Sequence, residues 1–278
     1  MKPIRTLHLK ITLVFFFLLS LSSINYAMAQ EDLKTYYECP PCGCDDDGKI
    51  SLTDGECPSC NMRLTEKSAR EIPDVETFIP LKVLETPMNV AIFLYEYNQV
   101  LDYAGPYDAF VSAGSSFNVY TVGATKDAIT TYPNLSINPQ YSIQDAPKPD
   151  ILIIPAGVTN SVNKETRKWI LDSTKNATYL LSVCNGAFLI AELGLLDGLE
   201  ATCHKHGLDS FENKFPSVKK VHRDKRYVDN GKVITSAGVS AGIDASYYLI
   251  SKILGVERAQ AAANNLEYIY WKPEDNEY

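Results

Sequence analysis

From Asn89 onward the chain alternates short apolar runs with helical stretches, and this constrains its fold more than any other feature. Residues 90–94, 117–122, 151–154, 179–183 and 233–235 are too short for buried helices and rich in Val, Ile and Leu, so they read as strands. Helical patterns fall between and after them. A short helix is expected to start at Gly105-Pro106, with Pro in its first turn, and another over 164–173. A third follows Val183 and runs through Leu193, where Gly194 can cap it; two more cover 243–254 and 256–268. Continuously apolar strands must be covered on both faces. The expectation is therefore an α/β domain over 87–278, a mostly parallel sheet with helices on both faces. Sites in such folds lie at the carboxyl ends of the strands.

The first 29 residues read as an address. Lys2, Arg5 and Lys10 precede an apolar run over 11–21, and Ala27-Met28-Ala29 places small residues where a signal peptidase reads. This predicts a Sec-type signal peptide over 1–29, cleaved before Gln30. The competing reading, a membrane anchor, needs ~20 apolar residues and the run is shorter. An exported, periplasmic protein with no membrane span after signal cleavage is expected. At a net charge of -8, the chain has no electrostatic reason to bind nucleic-acid phosphates. It ends at Tyr278 without room for a helix-turn-helix domain, so no nucleic-acid partner is expected.

Five of the seven cysteines, Cys39, Cys42, Cys44, Cys57 and Cys60, cluster in the segment 30–66. Cys39-Pro40-Pro41-Cys42-Gly43 and Cys57-Pro58-Ser59-Cys60-Asn61 are two C-x-x-C knuckles, each followed by a residue that tolerates a left-handed backbone. Two facing knuckles make a tetrahedral S4 site suited to zinc or another soft metal, with Cys39, Cys42, Cys57 and Cys60 as ligands. Two disulfides are the other reading in an oxidising compartment, although five cysteines leave one unpaired. So short a segment needs a metal or cross-links to fold. Tyr37-Glu38-Cys39-Pro40 and Cys57-Pro58-Ser59-Cys60-Asn61-Met62 resemble the heavy-metal-binding domain of exported metal-handling proteins, whose signature has Gly where this chain has Asn61. Met62 reads as a packing methionine, with a thioether ligand as its alternative. The mixed polar composition of 67–86 reads as a linker.

Cys184 carries the chemistry. It follows an apolar strand and precedes Asn185-Gly186-Ala187 and a helix, the arrangement of a nucleophile elbow. A helix N-terminus behind it favours thiolate over thiol; a buried structural cysteine is the plainer alternative. Cys184-Asn185-Gly186-Ala187-Phe188, Leu101-Asp102-Tyr103-Ala104-Gly105-Pro106 and the run from Ile234 to Asp244 resemble the DJ-1/PfpI superfamily, most of all its isonitrile-hydratase-like branch. The resemblance implies a flavodoxin-like sheet, with the Cys-rich metal ribbon ahead of it, and a homodimer. It places Asp102 beside Cys184, where one of the two must share or carry a proton. It also assigns the oxyanion hole to the backbone N–H groups of Gly157 and Asn185. Taken alone, Asp102 reads equally as a helix N-cap. The branch has Thr where this chain has Asn185, and Gly-Gly where it has Ala156-Gly157. His204 matches the family's Thr-His motif and is a candidate pocket residue, with a structural histidine as its alternative. Gly238-Val239-Ser240-Ala241-Gly242 fits G-x-S-x-G, but no histidine follows Ser240, so it reads as a structural turn.

Two functions are consistent with these residues. One is a cysteine-dependent enzyme of the hydratase or hydrolase kind, acting on a small electrophile without a catalytic cofactor. The other is a non-catalytic stress-response or metal-binding module with a redox-sensing Cys184.

Overall fold

The computed structural model describes residues 33–69 and 71–277. The signal peptide expected over 1–29 lies outside the described residues. Among the described residues no helix is long and apolar enough to cross a membrane.

An N-terminal ribbon comes first. Strands β1 (Lys34–Glu38), β2 (Ile50–Ser51) and β3 (Thr65–Ala69) form an antiparallel sheet in the order β2-β1-β3. Its core is little more than Cys39, Cys57 and Leu64, with Cys44, Cys60 and Phe78 packed against them. The stretch expected to be a linker is instead part of this unit. β3 pairs with the whole of β1, and the segment behind it covers the ribbon's open backbone. Ile50 N–H donates to Glu76 O (3.1 Å), Phe78 N–H to Ile50 O (3.0 Å) and Leu81 N–H to Glu56 O (2.8 Å). Polar composition hid these contacts, which satisfy a strand edge through the main chain and need few apolar side chains.

The ribbon is seated on the second unit through a buried ion pair. Glu56 Oε2 accepts from Arg258 Nη1 at 2.6 Å, and both side chains are 1% exposed. Glu56 Oε1 accepts from Ser115 N–H, and Arg258 also donates to Lys82 O. Gly114, with φ 82°, makes room for the carboxylate: a Cβ there would stand 2.0 Å from Glu56 Oε2.

The second unit runs β4 (Met88–Phe93), α1 (Val100–Ser112), β5 (Phe117–Gly123), β6 (Ile129–Thr130), β7 (Ser136–Ile137), β8 (Tyr141–Ser142) and β9 (Ile151–Ile154). It continues with α2 (Lys164–Asn176), β10 (Tyr179–Val183), α3 (Gly186–Glu192), β11 (Glu200–Ala201), α4 (Leu208–Lys214) and β12 (Lys220–Val221). It closes with β13 (Tyr227–Asp229), β14 (Val233–Ser236), α5 (Ala241–Leu254) and α6 (Val256–Asn265). Seven strands form one sheet in the order β13-β14-β10-β9-β4-β5-β8, parallel except for the β13–β14 pair.

Strand alternation feeds two cores. Val90, Ile92, Ile153 and Val183 face Phe110, Tyr247 and Ala259 of α1, α5 and α6. Ala91, Phe93, Ile154 and Leu180 face Ile170, Leu189 and Phe211 of α2, α3 and α4. The chain fills the sheet to one side of β4, through β5 and β8, then returns to β9 on the other. The switch point therefore lies between β4 and β9, where an open α/β sheet forms a crevice at its carboxyl edge.

The helix expected to begin at Gly105-Pro106 starts earlier, at Val100, and holds Pro106 inside it. Gly105 serves a helix crossing and not a helix start. A Cβ there would lie 2.7 Å from Ile243 Cγ1, so its absence lets α1 and α5 pack closely.

Candidate functional site

Cys184 sits one residue beyond β10 with φ 60°, a backbone that L-residues rarely adopt. Holding it there costs about 1–3 kcal/mol, which the surroundings must offset. Its N–H is shared between Ser236 O and Ala237 O, both at 3.1 Å, so the pairing with β14 continues into the turn. Gly186 completes the elbow. A Cβ on it would stand 2.1 Å from Ile154 O, so α3 can begin against the end of β9 only with glycine there.

Asp102 lies in the first turn of α1 and is wholly buried. It caps nothing in its own helix, whose N-cap is Gln99. Its Oδ2 accepts from Ala156 N–H at 3.1 Å, across the switch point. The helix-cap reading is therefore set aside. Burial pushes the Asp102 carboxyl up to about 7, against the pull of the Ala156 N–H, the Cys184 thiol and the Val239 N–H. Burial, and next the Asp102 charge, push the Cys184 thiol up to about 12, opposed by the N–H groups of Asn185 and Val239.

This overturns the expectation of a thiolate poised at a helix N-terminus. α3 has only seven residues, and its dipole does not outweigh a buried thiol beside a carboxylate. The pair releases its first proton near neutrality and keeps the second. Cys203, also buried, is raised to about 12 as well. What sets Cys184 apart is its place at the cavity.

That cavity, about 790 Å³, opens over Cys184 and is lined by Tyr97, Gln99, Tyr132, Ala156, Gly157, Val158, Asn185, His204 and Val239. The structure thus brings Cys184, Asn185, Gly157 and His204 to one space, with Asp102 behind the sulfur. Gly157 has no room for a side chain: a Cβ would lie 2.6 Å from the Tyr95 ring and 2.8 Å from Asn98 Nδ2. The loop that carries it is braced from below. Tyr95 Oη donates to Pro155 O (2.7 Å) and Asn98 Nδ2 to Ala156 O (2.6 Å). Among the described residues, the N–H groups of Gly157 and Asn185 donate to no backbone or side-chain oxygen, as an anion-binding pair requires.

His204 packs against Gly238, where a Cβ would meet its Cδ2 at 2.3 Å. Its Nδ1 accepts from His206 N–H at 3.4 Å, which leaves the proton on Nε2, and burial lowers its pKa. It is a neutral donor at the cavity wall. His222 is engaged elsewhere, with Glu200 at 2.7 Å. Ser240 is exposed at the N-cap of α5, in keeping with a structural turn.

Sequence reasoning missed Val239, which lines the cavity with φ 52° and whose N–H favours the charged forms of Asp102 and Cys184. It also missed Gln99 and the half-exposed rings of Tyr97 and Tyr132 on the rim. The G-V-S-A-G run holds the signal for Val239, since a tight turn there must place a backbone N–H near the elbow.

In the ribbon, the sulfurs of Cys39, Cys44, Cys57 and Cys60 lie within 4.8 Å of one another. Cys39 Sγ is 3.5 Å from Cys60 and 3.8 Å from Cys44, and Cys44 is 3.8 Å from Cys57. A tetrahedron with Zn–S bonds of 2.3 Å has edges of about 3.8 Å, so the donor set fits a zinc-sized soft ion. The fourth member is Cys44 where the spacing argument put Cys42. Gly43, with φ 74°, turns the chain between them and leaves Cys42 exposed, although its Sγ is 3.7 Å from that of Cys39. C-x-x-C spacing cannot register that turn. Met62 is 36% exposed and does not pack as expected.

Residues 88–252 match the DJ-1/PfpI family. The chain belongs to that family. This DJ-1/PfpI protein is 28% identical to isonitrile hydratase of Pseudomonas putida over 192 residues, 68% of this chain and 82% of the hydratase. It is 32% identical to the HTH-type transcriptional regulator CdhR of Pseudomonas aeruginosa over 127 residues, 45% of this chain but only 37% of the regulator. Among solved structures, a ThiJ/PfpI family protein of Pseudomonas syringae superposes with a TM-score of 0.60 at 27% identity, covering 68% of this chain and 78% of that one. Drosophila melanogaster DJ-1beta shares the fold at a TM-score of 0.57 and 17% identity, covering 66% of this chain and 98% of its own.

Proposed function

We propose that the DJ-1/PfpI domain is a cysteine-dependent enzyme that adds water to, or hydrolyses, a small uncharged electrophile. The observation that carries this reading is the buried Asp102 carboxyl, pushed up to about 7, beside Cys184 at the floor of an open cavity. Asp102 as carboxylate takes the thiol proton while the sulfur bonds to the electrophilic carbon. The acid so formed then gives the proton to the substrate atom that gains the electron pair. Water later attacks the thio-adduct, Asp102 accepts the water's proton, and the C–S bond breaks with the proton returned to sulfur. Gly157 and Asn185 N–H groups hold negative charge that develops on the substrate, and His204 Nε2–H supplies a further donor.

Among the described residues no Asp, Glu, Lys or Arg side chain lines the cavity, and two tyrosines form its rim. This favours isonitriles, aldehydes and amides with neutral substituents over carboxylates or phosphates. Similarity to isonitrile hydratase supports the first of these. Asn185 and Ala156, where that branch carries Thr and Gly, set this chain apart from it.

The ribbon serves in the same proposal as a structural zinc site held by Cys39, Cys44, Cys57 and Cys60, with no part in the chemistry. We further propose an exported, periplasmic homodimer. N-terminal mass analysis should find Gln30 first, and light scattering should give twice the chain mass. The test of function is a screen of the purified protein against neutral isonitriles, aldehydes and amides. Turnover that disappears in Cys184→Ala is expected; turnover retained in that variant would refute the reading.

A further inference from the structure

Five thiols crowd a site that needs four. Cys39 is buried and has two near-equivalent neighbours on the same loop, Cys42 at 3.7 Å and Cys44 at 3.8 Å. Cys44 belongs to the compact tetrad, whereas Cys42 stands outside it and is exposed to solvent. Gly43 separates the two, and a Cβ built on it would meet nothing within 4 Å, so its side of the loop faces open space. A purely structural site gains nothing from an accessible thiol at contact distance from one of its own ligands. The feature is what a site needs if it is to be opened by thiol–disulfide exchange.

Resting on the reading that the tetrad holds a metal ion, we propose that Cys42 and Cys39 form a redox latch that expels the ion under disulfide stress. The exposed Cys42 thiolate attacks a low-molecular-weight disulfide and forms a mixed disulfide, releasing one thiol. The Cys39 sulfur then attacks the Cys42 sulfur, which forms the Cys39–Cys42 bond and releases the second thiol. Two cysteines lose two electrons in total, and the reagent disulfide gains them. Both cysteines react as thiolates, so the two departing thiolates take their protons from solvent. Cys39 is then lost as a ligand, and three thiolates remain. Sulfurs 3.7 Å apart must approach to about 2.05 Å, a movement that the short Cys39-Pro40-Pro41-Cys42 loop confines to its own residues.

The test uses the whole chain loaded with zinc(II) and exposed to oxidised glutathione. A colorimetric chelator reports zinc release, and peptide mass mapping locates the disulfide. Wild type should bind one zinc, release it with oxidant and show a Cys39–Cys42 link. Cys42→Ser should bind one zinc and release it at least 10-fold more slowly. Cys44→Ser should bind zinc weakly before any oxidant is added. A chain that takes up no zinc under reducing conditions overturns the metal reading and the latch with it. One zinc bound, but lost from Cys42→Ser at the wild-type rate or with a disulfide elsewhere, overturns the latch alone.

Discussion

Replacing Asp102 by Asn removes a buried carboxyl and leaves its shape. Burial moves this group from its ordinary 3.8 to about 7. Because the folded-state pKa is raised, folding is unpenalised below about pH 4 and loses stability as pH rises through the folded value. At about 1.4 kcal/mol for each pKa unit, the full loss approaches ~4 kcal/mol. Roughly 1.5 kcal/mol of it is already present at pH 5, and about 2.5 kcal/mol accrues between pH 5 and pH 8. Asp102→Asn carries no such penalty. Urea unfolding of both proteins under reducing conditions should show the variant gaining about 2–3 kcal/mol on wild type between those two pH values. Groups that do not feel the Asp102 charge cancel in the comparison, and Cys184 and Tyr95, which do feel it, are raised well above this pH range in wild type and contribute little to the difference. Cys184 should respond in parallel, with alkylation shifting to lower pH because the carboxylate that repels its thiolate is gone. Turnover should nevertheless fall by ~10²–10⁴-fold, since an amide relays no proton. A stability gap that is the same at pH 5 and pH 8, with an unmoved labelling profile, would refute the shared-proton pair.

Glu56→Gln leaves the Arg258 cation buried with only the Lys82 carbonyl and a weaker partner, so unfolding stability should fall by about 3–5 kcal/mol. Limited proteolysis should then cut the ribbon before the main domain, and equal cutting of both proteins would count against the seam. Gly186→Ala drives a Cβ into Ile154 O at 2.1 Å, and with backbone on both sides the cost should exceed ~3 kcal/mol. Circular-dichroism melting would show it, and an unchanged melting temperature would mean that α3 starts elsewhere. Tyr95→Phe removes the brace on Pro155 O and should lower kcat more than it raises KM. Equal kcat with a changed KM would place Tyr95 in substrate binding.

Much of the candidate site was legible because its residues sit where apolar strands stop. Val183 ends a buried run and Ile154 ends another, so Cys184 and the Pro155-Ala156-Gly157 turn had to meet at one sheet edge. What could not be read was anything set by distance between segments. Asp102 looked equally like a cap, and only its bond to Ala156 N–H, 54 positions away, decides between the roles. The thiol's proton affinity was misjudged for the same reason. A helix N-terminus is visible in sequence, but the depth of burial that outweighs it is not. In the ribbon, C-x-x-C spacing announced a thiol cluster, yet the choice between Cys42 and Cys44 turns on the φ of one glycine.

The seam between the two units ties the ribbon's order to α1, the helix that carries Asp102. Glu56 immediately precedes the buried Cys57, and Asn61 closes the same knuckle, with its N–H on Cys57 O at 2.8 Å. Both residues reach out of the ribbon. Glu56 meets Ser115 N–H and Arg258, and Asn61 Nδ2 donates to Ser112 O at 2.6 Å. Ser112 is the last residue of α1, and Asp102 lies in its first turn. One helix therefore carries the proton-sharing carboxyl at one end and the knuckle's anchor at the other. A buried Glu–Arg pair is a poor source of net stability, because desolvation cancels most of its attraction. It is, however, strict about geometry, since either charge left unpaired is costly. Whatever loosens the Cys57–Cys60 turn must displace Glu56 or strain it against Gly114, where there is no spare room. The ribbon is thus a second support for α1, and its thiol cluster sits where a change in cross-linking would reach the helix that carries Asp102 through Glu56 and Asn61.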